Sequence, residues 1–290
     1  IFPEYNWVKE ILGDQAENVD LTLLLGNGTD MHSFQPTMED ILKVSTCDLF
    51  IYVGGESDSW VADALKGAGN PDRKAINLMD VLGDQVKEEE IVEGMQDEDG
   101  HTHEEEHTHD DDLEYDEHVW LSLKNASLFC DTIASSLADA DPEHSRLYQQ
   151  NAEAYEEKLA ALDQEYQTSV EKSQSKTLLF ADRFPFRYLI DDYNLTYYAA
   201  FAGCSAETDA SFETITFLAG KLDELKLPAV LTIENSDQKV AKAVIENTNT
   251  KDQKILTLNS MQSVTTKDVE EGTTYLSIME NNLQILKEAL

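Results

Sequence analysis

Residues 148–166, YQQNAEAYEEKLAALDQEY, decide how this chain is organised. Their apolar side chains recur at alternating intervals of four and three residues, the spacing of one face of an α-helix. The residues on this face are Tyr148, Ala152, Tyr155, Leu159, Leu162 and Tyr166. A helix of about thirty residues at 1.5 Å per residue is about 45 Å long, which is more than one lobe requires. We therefore predict a strut between two lobes, with two shorter helices and a break as the alternative.

Short apolar runs alternate with amphipathic segments before this helix. We predict helices over 5–12 and 38–44 and buried strands over 21–25 and 49–53, and we interpret Ile1-Phe2 as the end of another strand. Both predicted strands end at glycines, which favour loops. Strands that alternate with helices predict a parallel sheet whose ligand loops leave the carboxyl ends of the strands.

A second strand and helix series follows the long helix. The predicted strands are 177–180, 197–200, 230–233 and 255–258, and the predicted helices are 186–193, 211–225, 238–247 and 274–290. The fold class predicted from both series is α/β, with two parallel-sheet lobes joined by one long α-helix. We place the N-terminal lobe at 1–140, the linking helix at 141–174 and the C-terminal lobe at 175–290.

The most acidic stretch of the chain is 88–117, with sixteen Asp or Glu and no Lys or Arg. Mutual repulsion predicts an extended, solvated loop, and we assign the loop 84–117 to the N-terminal lobe. It carries His101, His103, His107 and His109, and His118 follows it closely. Imidazole with carboxylate suits Zn²⁺ and its first-row neighbours, which predicts an auxiliary metal-capture loop. A solvated acidic loop with incidental histidines is the alternative.

Composition limits the partners. A formal net charge of −37 and a pI near 4.2 argue against nucleic acid or an anionic membrane surface and favour cations. No run of eighteen apolar residues exists, so we expect no membrane span. Three cysteines without a CxxC pattern predict small buried residues, with a Cys47–Cys130 bridge as the alternative.

The sequence contains partial matches to enzyme and calcium-binding motifs, but the surrounding residues argue against both kinds of site. His103 to His107 matches the H-E-x-x-H pattern, but its neighbours are Gly, Thr and acids, so no apolar helix face could hold a protease zinc site. Met95 stands where a calcium loop needs its first carboxylate. We find no Ser-His-Asp pattern, phosphate-binding Gly loop or dinucleotide fingerprint, and we predict that the protein is not an enzyme.

Four segments together resemble the cluster A-I solute-binding proteins of ABC transporters, the zinc-uptake and adhesion lipoproteins that capture zinc or manganese. The segments are 2–5 (FPEY), 26–37 with MHSFQPT at its end, 47–55 (CDLFIYVGG) and 117–122 (EHVWLS). The order of strands, strut and His-acid loop is also similar to that of the zinc members. The resemblance covers essentially the whole chain.

This resemblance implies two α/β lobes joined by one long helix, with a metal held between them and passed to a membrane permease. By position, His32 and His118 match the two first-lobe histidine ligands of the family. Glu234, which follows the predicted strand 230–233, matches its second-lobe carboxylate.

The chain departs from the family at one ligand. Zinc members usually supply a third histidine in the loop that is here 181–186, and the aligned residue is Arg183. A guanidinium stays protonated and cannot ligate a metal. The site is then completed by Glu234, Asp182, water or a loop histidine, or it is partly replaced by an Arg183–carboxylate pair. We favour His32, His118 and Glu234, with a loop histidine or water as the fourth ligand.

The predicted function is extracytoplasmic capture of Zn²⁺ in an inter-lobe cleft and its delivery to an ABC permease and its ATPase. Mn²⁺ is the alternative ion. We expect a monomer that is a cell-surface lipoprotein or periplasmic, attached to the membrane only through a lipid anchor if at all, with its signal peptide absent from this sequence. The rivals are a zinc-dependent hydrolase that uses the same histidines and a surface adhesin or interaction protein.

Overall fold

The computed structural model describes residues 1–67, 69–96, 114–205 and 209–290. Packing divides the chain into two compact units, each built from separate segments. The first unit comprises Ile1–Val86, Val119–Gln164 and Met261–Met279, and the second comprises Lys87–His118, Glu165–Ser260 and Glu280–Leu290. The boundaries at 140 and 174 follow the chain and stay predictions, whereas the units follow packing.

Helices and strands alternate in both halves of the chain. Up to the long helix, the elements are α1 (Phe2–Leu12), α2 (Met38–Thr46), β1 (Leu49–Tyr52), α3 (Val61–Leu65), β2 (Lys74–Asn77), α4 (Leu78–Leu82), α5 (Leu123–Ala140) and α6 (Ser145–Lys172). After it come β3 (Thr177–Phe184), α7 (Arg187–Asp192), β4 (Thr196–Ala202), α8 (Phe212–Leu225), β5 (Ala229–Thr232), α9 (Lys239–Glu246), β6 (Lys254–Thr257), α10 (Thr266–Glu270) and α11 (Tyr275–Ala289).

The long helix is one unbroken element of 28 residues, as the apolar spacing predicts. All six side chains of the predicted apolar face are buried, with exposed fractions between 0% and 6%. Residues up to Gln164 belong to the first unit and residues from Glu165 to the second. The predicted fold class, two α/β lobes with parallel sheets and one long helix that joins them, is confirmed. No helix in the described ranges is both long and apolar enough to cross a bilayer.

Two strand predictions in the first unit are wrong. Phe2 begins α1, where Pro3 in the first turn loses no hydrogen bond because that turn has no intrahelical partner for its N–H groups. Residues 21–25 form no strand; Asn27 instead makes an isolated antiparallel bridge with Thr265, and Thr266 N donates to Gly26 O over 2.8 Å. A short apolar run does not by itself distinguish a strand from another buried segment.

The second unit contains a parallel sheet with the strand order β4-β3-β5-β6. The pairing of β3 with β4 shifts register between Phe180 and Arg183, an irregularity that redirects side chains at the end of β3. The carboxyl ends of parallel strands meet at one edge of a sheet. This edge therefore presents Arg183 on β3, Cys204 after β4 and Glu234 after β5.

Candidate metal centre

His118 is a fully buried imidazole whose orientation is fixed by one carboxylate. Asp116 Oδ1 accepts a hydrogen bond from the His118 backbone N–H over 2.8 Å and lies 3.0 Å from His118 Nδ1. When Nδ1–H donates to the carboxylate, the lone pair of the neutral ring is on Nε2. In metal sites, the ring nitrogen of a histidine ligand that does not bind the metal usually donates its hydrogen to a carboxylate or a backbone carbonyl, and this bond orients the ring. Asp116 thus prepares His118 to bind a cation through Nε2.

Asp116 is itself held in place by the chain around it. The segments before and after the acidic stretch pair through an antiparallel bridge between Glu88 and Tyr115, and Asp116 N donates to Lys87 O over 2.9 Å. Tyr188 OH donates to Asp116 O over 2.9 Å and accepts from Lys87 N over 3.1 Å. The acidic stretch therefore begins and ends at a fixed point beside His118.

The charges around His118 favour a cation. Burial alone lowers the pKa of His118, but the Asp116 carboxylate, with Glu117 and Glu89, outweighs burial and raises the pKa above its usual value. Asp116 and Glu117 are themselves buried. A buried site that stabilises a proton on imidazole by this means also stabilises a metal cation in the place of that proton.

Cys204 is the second potential metal ligand at this position. Its Sγ and a ring nitrogen of His118 lie within 4.8 Å of each other, and its backbone N–H donates to Glu89 Oε1 over 3.1 Å. Burial raises the pKa of the Cys204 thiol, and Glu89, Asp116 and Glu117 raise it further. The thiol is therefore protonated in the metal-free protein, and a metal ion must displace that proton to bind sulfur.

The residue before this cysteine must be small. A Cβ atom on Gly203 would lie 2.8 Å from Phe184 O and 3.1 Å from His118 Cε1. Real Cβ atoms do not approach a backbone oxygen so closely without displacement of the backbone. Gly203 thus allows the end of β4 to pass directly against the imidazole.

Sequence reasoning missed Cys204 as a candidate ligand. We interpreted all three cysteines as small buried residues, and this holds for Cys130, whereas Cys47 and Cys204 are only partly buried and all three are free thiols. A useful signal was present, because Gly203-Cys204 follows a strand of a parallel sheet, where ligand loops are expected.

The other residues predicted in the second unit have different partners. Glu234 follows β5 as predicted, and its two oxygens accept from Ser260 N over 2.7 Å and Ser260 Oγ over 2.8 Å. Asp182 accepts from Arg183 N over 2.9 Å and from Ile233 N over 3.4 Å. Among the described residues, the close donor atoms at His118 and Cys204 are not joined by Glu234 or Asp182. A ligand role for Glu234 and a cleft role for Asp182 or Arg183 stay predictions.

His32 lies in the first unit, in a local arrangement like that of His118. Asp30, two residues earlier, accepts from the His32 backbone N–H over 3.0 Å, as Asp116 does for His118. His32 Nδ1 lies 2.8 Å from Ser57 Oγ. Residues 30–32 and 116–118 therefore share an Asp-x-His pattern in which the acid accepts from the backbone N–H of its histidine. The predicted capture histidines His101, His103, His107 and His109 lie outside the described residues.

We expect Gly203→Ala to displace His118, because the added methyl group meets the Phe184 carbonyl and the imidazole. The thermal midpoint should fall, and the His118 ring signals in an NMR spectrum should shift. Gly220→Ala is the matched control, since a Cβ at Gly220 in α8 has no neighbour within 4 Å. This control should be neutral or gain up to about 1 kcal/mol from helix propensity. Equal behaviour of the two variants would contradict close packing at Gly203.

We expect Asp116→Asn to lower the pKa of His118, because burial then dominates once the carboxylate is removed. In the native protein the raised pKa adds stability that is fully present below the unfolded pKa of histidine and is lost as pH rises through the folded pKa. The variant should therefore lose more stability at pH 5 than at pH 8. NMR titration of the imidazole and urea unfolding at both pH values measure the two effects.

The control is Asp141→Asn, which removes a carboxylate beside His144 and should leave the pKa of His118 unchanged. A His118 pKa that stays the same in Asp116→Asn would show that this carboxylate does not govern the ring.

Known proteins resemble this chain along its whole length. The family model described as zinc-uptake complex component A, periplasmic, matches residues 1–289. The zinc-binding lipoprotein AdcA of Streptococcus pneumoniae serotype 4 is 32% identical over 99% of this chain, and the high-affinity zinc uptake system protein ZnuA of Bacillus subtilis is 29% identical over 100% of it. The chain spans 54% of that AdcA, about half the length, and 85% of that ZnuA.

Solved structures agree with this similarity. The Zn(II)-bound ZnuA-like domain of S. pneumoniae AdcA superposes with a TM-score of 0.76 at 27% identity, covering 100% of this chain and 96% of that one. The metal-dependent lipoprotein YcdH of B. subtilis gives a TM-score of 0.78 at 25% identity, with the same coverage of 100% and 96%. The match of sequence and fold over the whole chain shows that this protein belongs to the family of the zinc-uptake complex component A.

Proposed function

We propose that this protein captures Zn²⁺ outside the cytoplasm and delivers it to an ABC permease and its ATPase. The observation that carries the proposal is the buried His118 imidazole, which Asp116 orients and carboxylates surround. The neutral ring carries its lone pair on Nε2, and imidazole nitrogen is a common ligand of Zn²⁺. The negative charge around the ring attracts the cation. Family membership and the zinc-binding names of the relatives support the same ion.

The proposed ligand set begins with His32 and His118. Both histidines have a backbone N–H that donates to an Asp two residues earlier. At His118 the Asp116 carboxylate accepts from Nδ1–H, which leaves Nε2 as the coordinating nitrogen in the neutral ring. At His32 we assign the same role to Nε2, with Nδ1–H donating to Ser57 Oγ. Glu234 stays a proposed ligand by its position after β5, and the hydrogen bonds from Ser260 to its two oxygens orient the carboxylate while each oxygen keeps a further lone pair for an ion. Imidazole donors favour Zn²⁺ over Mn²⁺, which prefers oxygen.

Capture rather than catalysis is the activity that we propose. The net charge of −37 attracts divalent cations at long range, and the acidic stretch with its four histidines supplies weak, reversible contacts. Imidazole ligands on a rigid backbone then hold the ion more strongly, because they lose less conformational entropy on binding. A lipoprotein or periplasmic location belongs to this proposal and draws support from the family description and the lipoprotein names of relatives. Action as a monomer stays a prediction.

Calorimetric titration of the metal-stripped protein with Zn²⁺ and Mn²⁺, with a competing chelator where needed, tests the proposal. We expect one tight Zn²⁺ event that survives replacement of His101, His103, His107 and His109 by Asn. His32→Ala and His118→Ala should each weaken it by more than about 100-fold, since loss of even an outer partner of a ligand costs 10- to 100-fold. Mn²⁺ should bind more weakly than Zn²⁺.

His144→Ala is the matched control, because His144 pairs with Asp141 on a different part of the chain. It should bind Zn²⁺ like the native protein. Loss of all Zn²⁺ binding with the four loop histidines, together with unchanged binding in His118→Ala, would overturn the proposal.

A further inference from the structure

We propose that the Cys204 thiolate is a ligand of the captured ion and provides the donor that Arg183 cannot. This inference rests on the proposed function, because it names a further residue of the same metal centre. It concerns a residue for which the sequence patterns predicted no chemical role.

Geometry is the first support. Cys204 Sγ and a His118 ring nitrogen lie within 4.8 Å of each other, although the two residues come from distant parts of the sequence. Zn–S and Zn–N bonds of about 2.3 and 2.0 Å place two tetrahedral ligand atoms about 3.5 Å apart. The sulfur and nitrogen atoms therefore need to approach each other by little more than about 1 Å to bind one ion.

The local backbone is built for this approach. Gly203 lies so close to the imidazole that a Cβ atom would come within 3.1 Å of His118 Cε1, so the chain at the end of β4 passes directly against the ring. The Cys204 N–H donates to Glu89 Oε1 over 3.1 Å, which fixes the backbone of the cysteine next to the acids that surround His118. These contacts hold the backbone of Cys204 beside the imidazole.

The donor chemistry explains what the cysteine supplies. Arg183 stands on β3, which pairs directly with β4, and its guanidinium has no lone pair for a metal. A thiolate is a strong ligand of Zn²⁺, and mixed Cys and His sets are common for this ion, whereas Mn²⁺ prefers oxygen. A centre that contains Cys204 is thus selective for zinc over manganese despite the acids around it.

The binding step balances as an exchange of a proton for a metal ion. The S–H bond of Cys204 breaks, its electron pair forms the S–Zn bond, and the proton leaves to the solvent buffer. No oxidant or reductant takes part, and the net charge of the centre rises by one.

The test uses Co²⁺ as a spectroscopic substitute for Zn²⁺ in the full chain. A thiolate ligand gives a sulfur-to-cobalt charge-transfer band in the near ultraviolet, which oxygen and nitrogen ligands do not give. The native protein and Cys47→Ser should show the band, and Cys204→Ser should lack it. Cys47 is the matched control because it is also a partly buried free thiol, and its Sγ donates to Val44 O. Cys204→Ser should also weaken Zn²⁺ binding by at least about 10-fold, because a neutral hydroxyl is a poorer zinc ligand than a thiolate and loss of even an outer partner has that effect.

A measurement on the native protein guards against a variant that does not fold. Alkylation of each cysteine, located by peptide mass spectrometry, should be slowed at Cys204 but not at Cys47 when one equivalent of Zn²⁺ is present. Equal alkylation of Cys204 with and without zinc would overturn the inference.

The outcomes separate this inference from the proposed function. If Cys204→Ser keeps the band and the native affinity while His118→Ala loses binding, Cys204 is not a ligand and zinc capture stands. If the native protein binds neither Zn²⁺ nor Co²⁺, the proposed function fails and the inference fails with it.

Discussion

The contact between Asp116 and His118 is the constraint on which the rest of the centre depends. A buried imidazole without a partner loses the hydrogen bonds that it makes in water. Asp116 supplies both bonds on one side of the residue, to the backbone N–H and to Nδ1, and so determines which nitrogen can face an ion. Tyr188 and Lys87 hold Asp116 in turn, which makes the base of the acidic stretch a structural part of the centre.

The acids around His118 destabilise the metal-free protein, and a bound cation offsets this destabilisation. Asp116 and Glu117 are both buried, and they raise the pKa of His118 together with Glu89. Like charges that lie close together in a buried place destabilise the metal-free protein, whereas a divalent ion among them is stabilised. The net charge of the chain and the local charge of the centre thus favour the same class of ligand.

The sequence predicted the long helix and the second-unit strands well because their signals are local. The apolar spacing over 148–166 and the short apolar runs after it can be recognised without knowledge of distant contacts. The strand predicted over 21–25 failed because the same apolar run also suits a turn whose partner is Thr265 and Thr266, far along the chain. The discontinuous units were equally beyond local patterns, since residues 261–279 join the first unit only through packing.

The candidate site likewise combines residues that the sequence predicted with a residue that only the folded chain reveals. The sequence predicted His32 and His118 as ligands because each lies in a short segment that resembles the family. The place of Cys204 depends on β4 within the sheet and on Gly203 against the imidazole, which only the folded chain reveals.

X-ray absorption spectroscopy of the protein loaded with one equivalent of zinc tests the central claim most directly, with the four loop histidines replaced by Asn so that the signal comes from one centre. This account predicts nitrogen or oxygen neighbours at about 2.0–2.1 Å, a sulfur neighbour at about 2.3 Å, and the outer-shell pattern of imidazole rings. A spectrum with oxygen neighbours alone and no imidazole pattern would contradict a zinc centre built around His118.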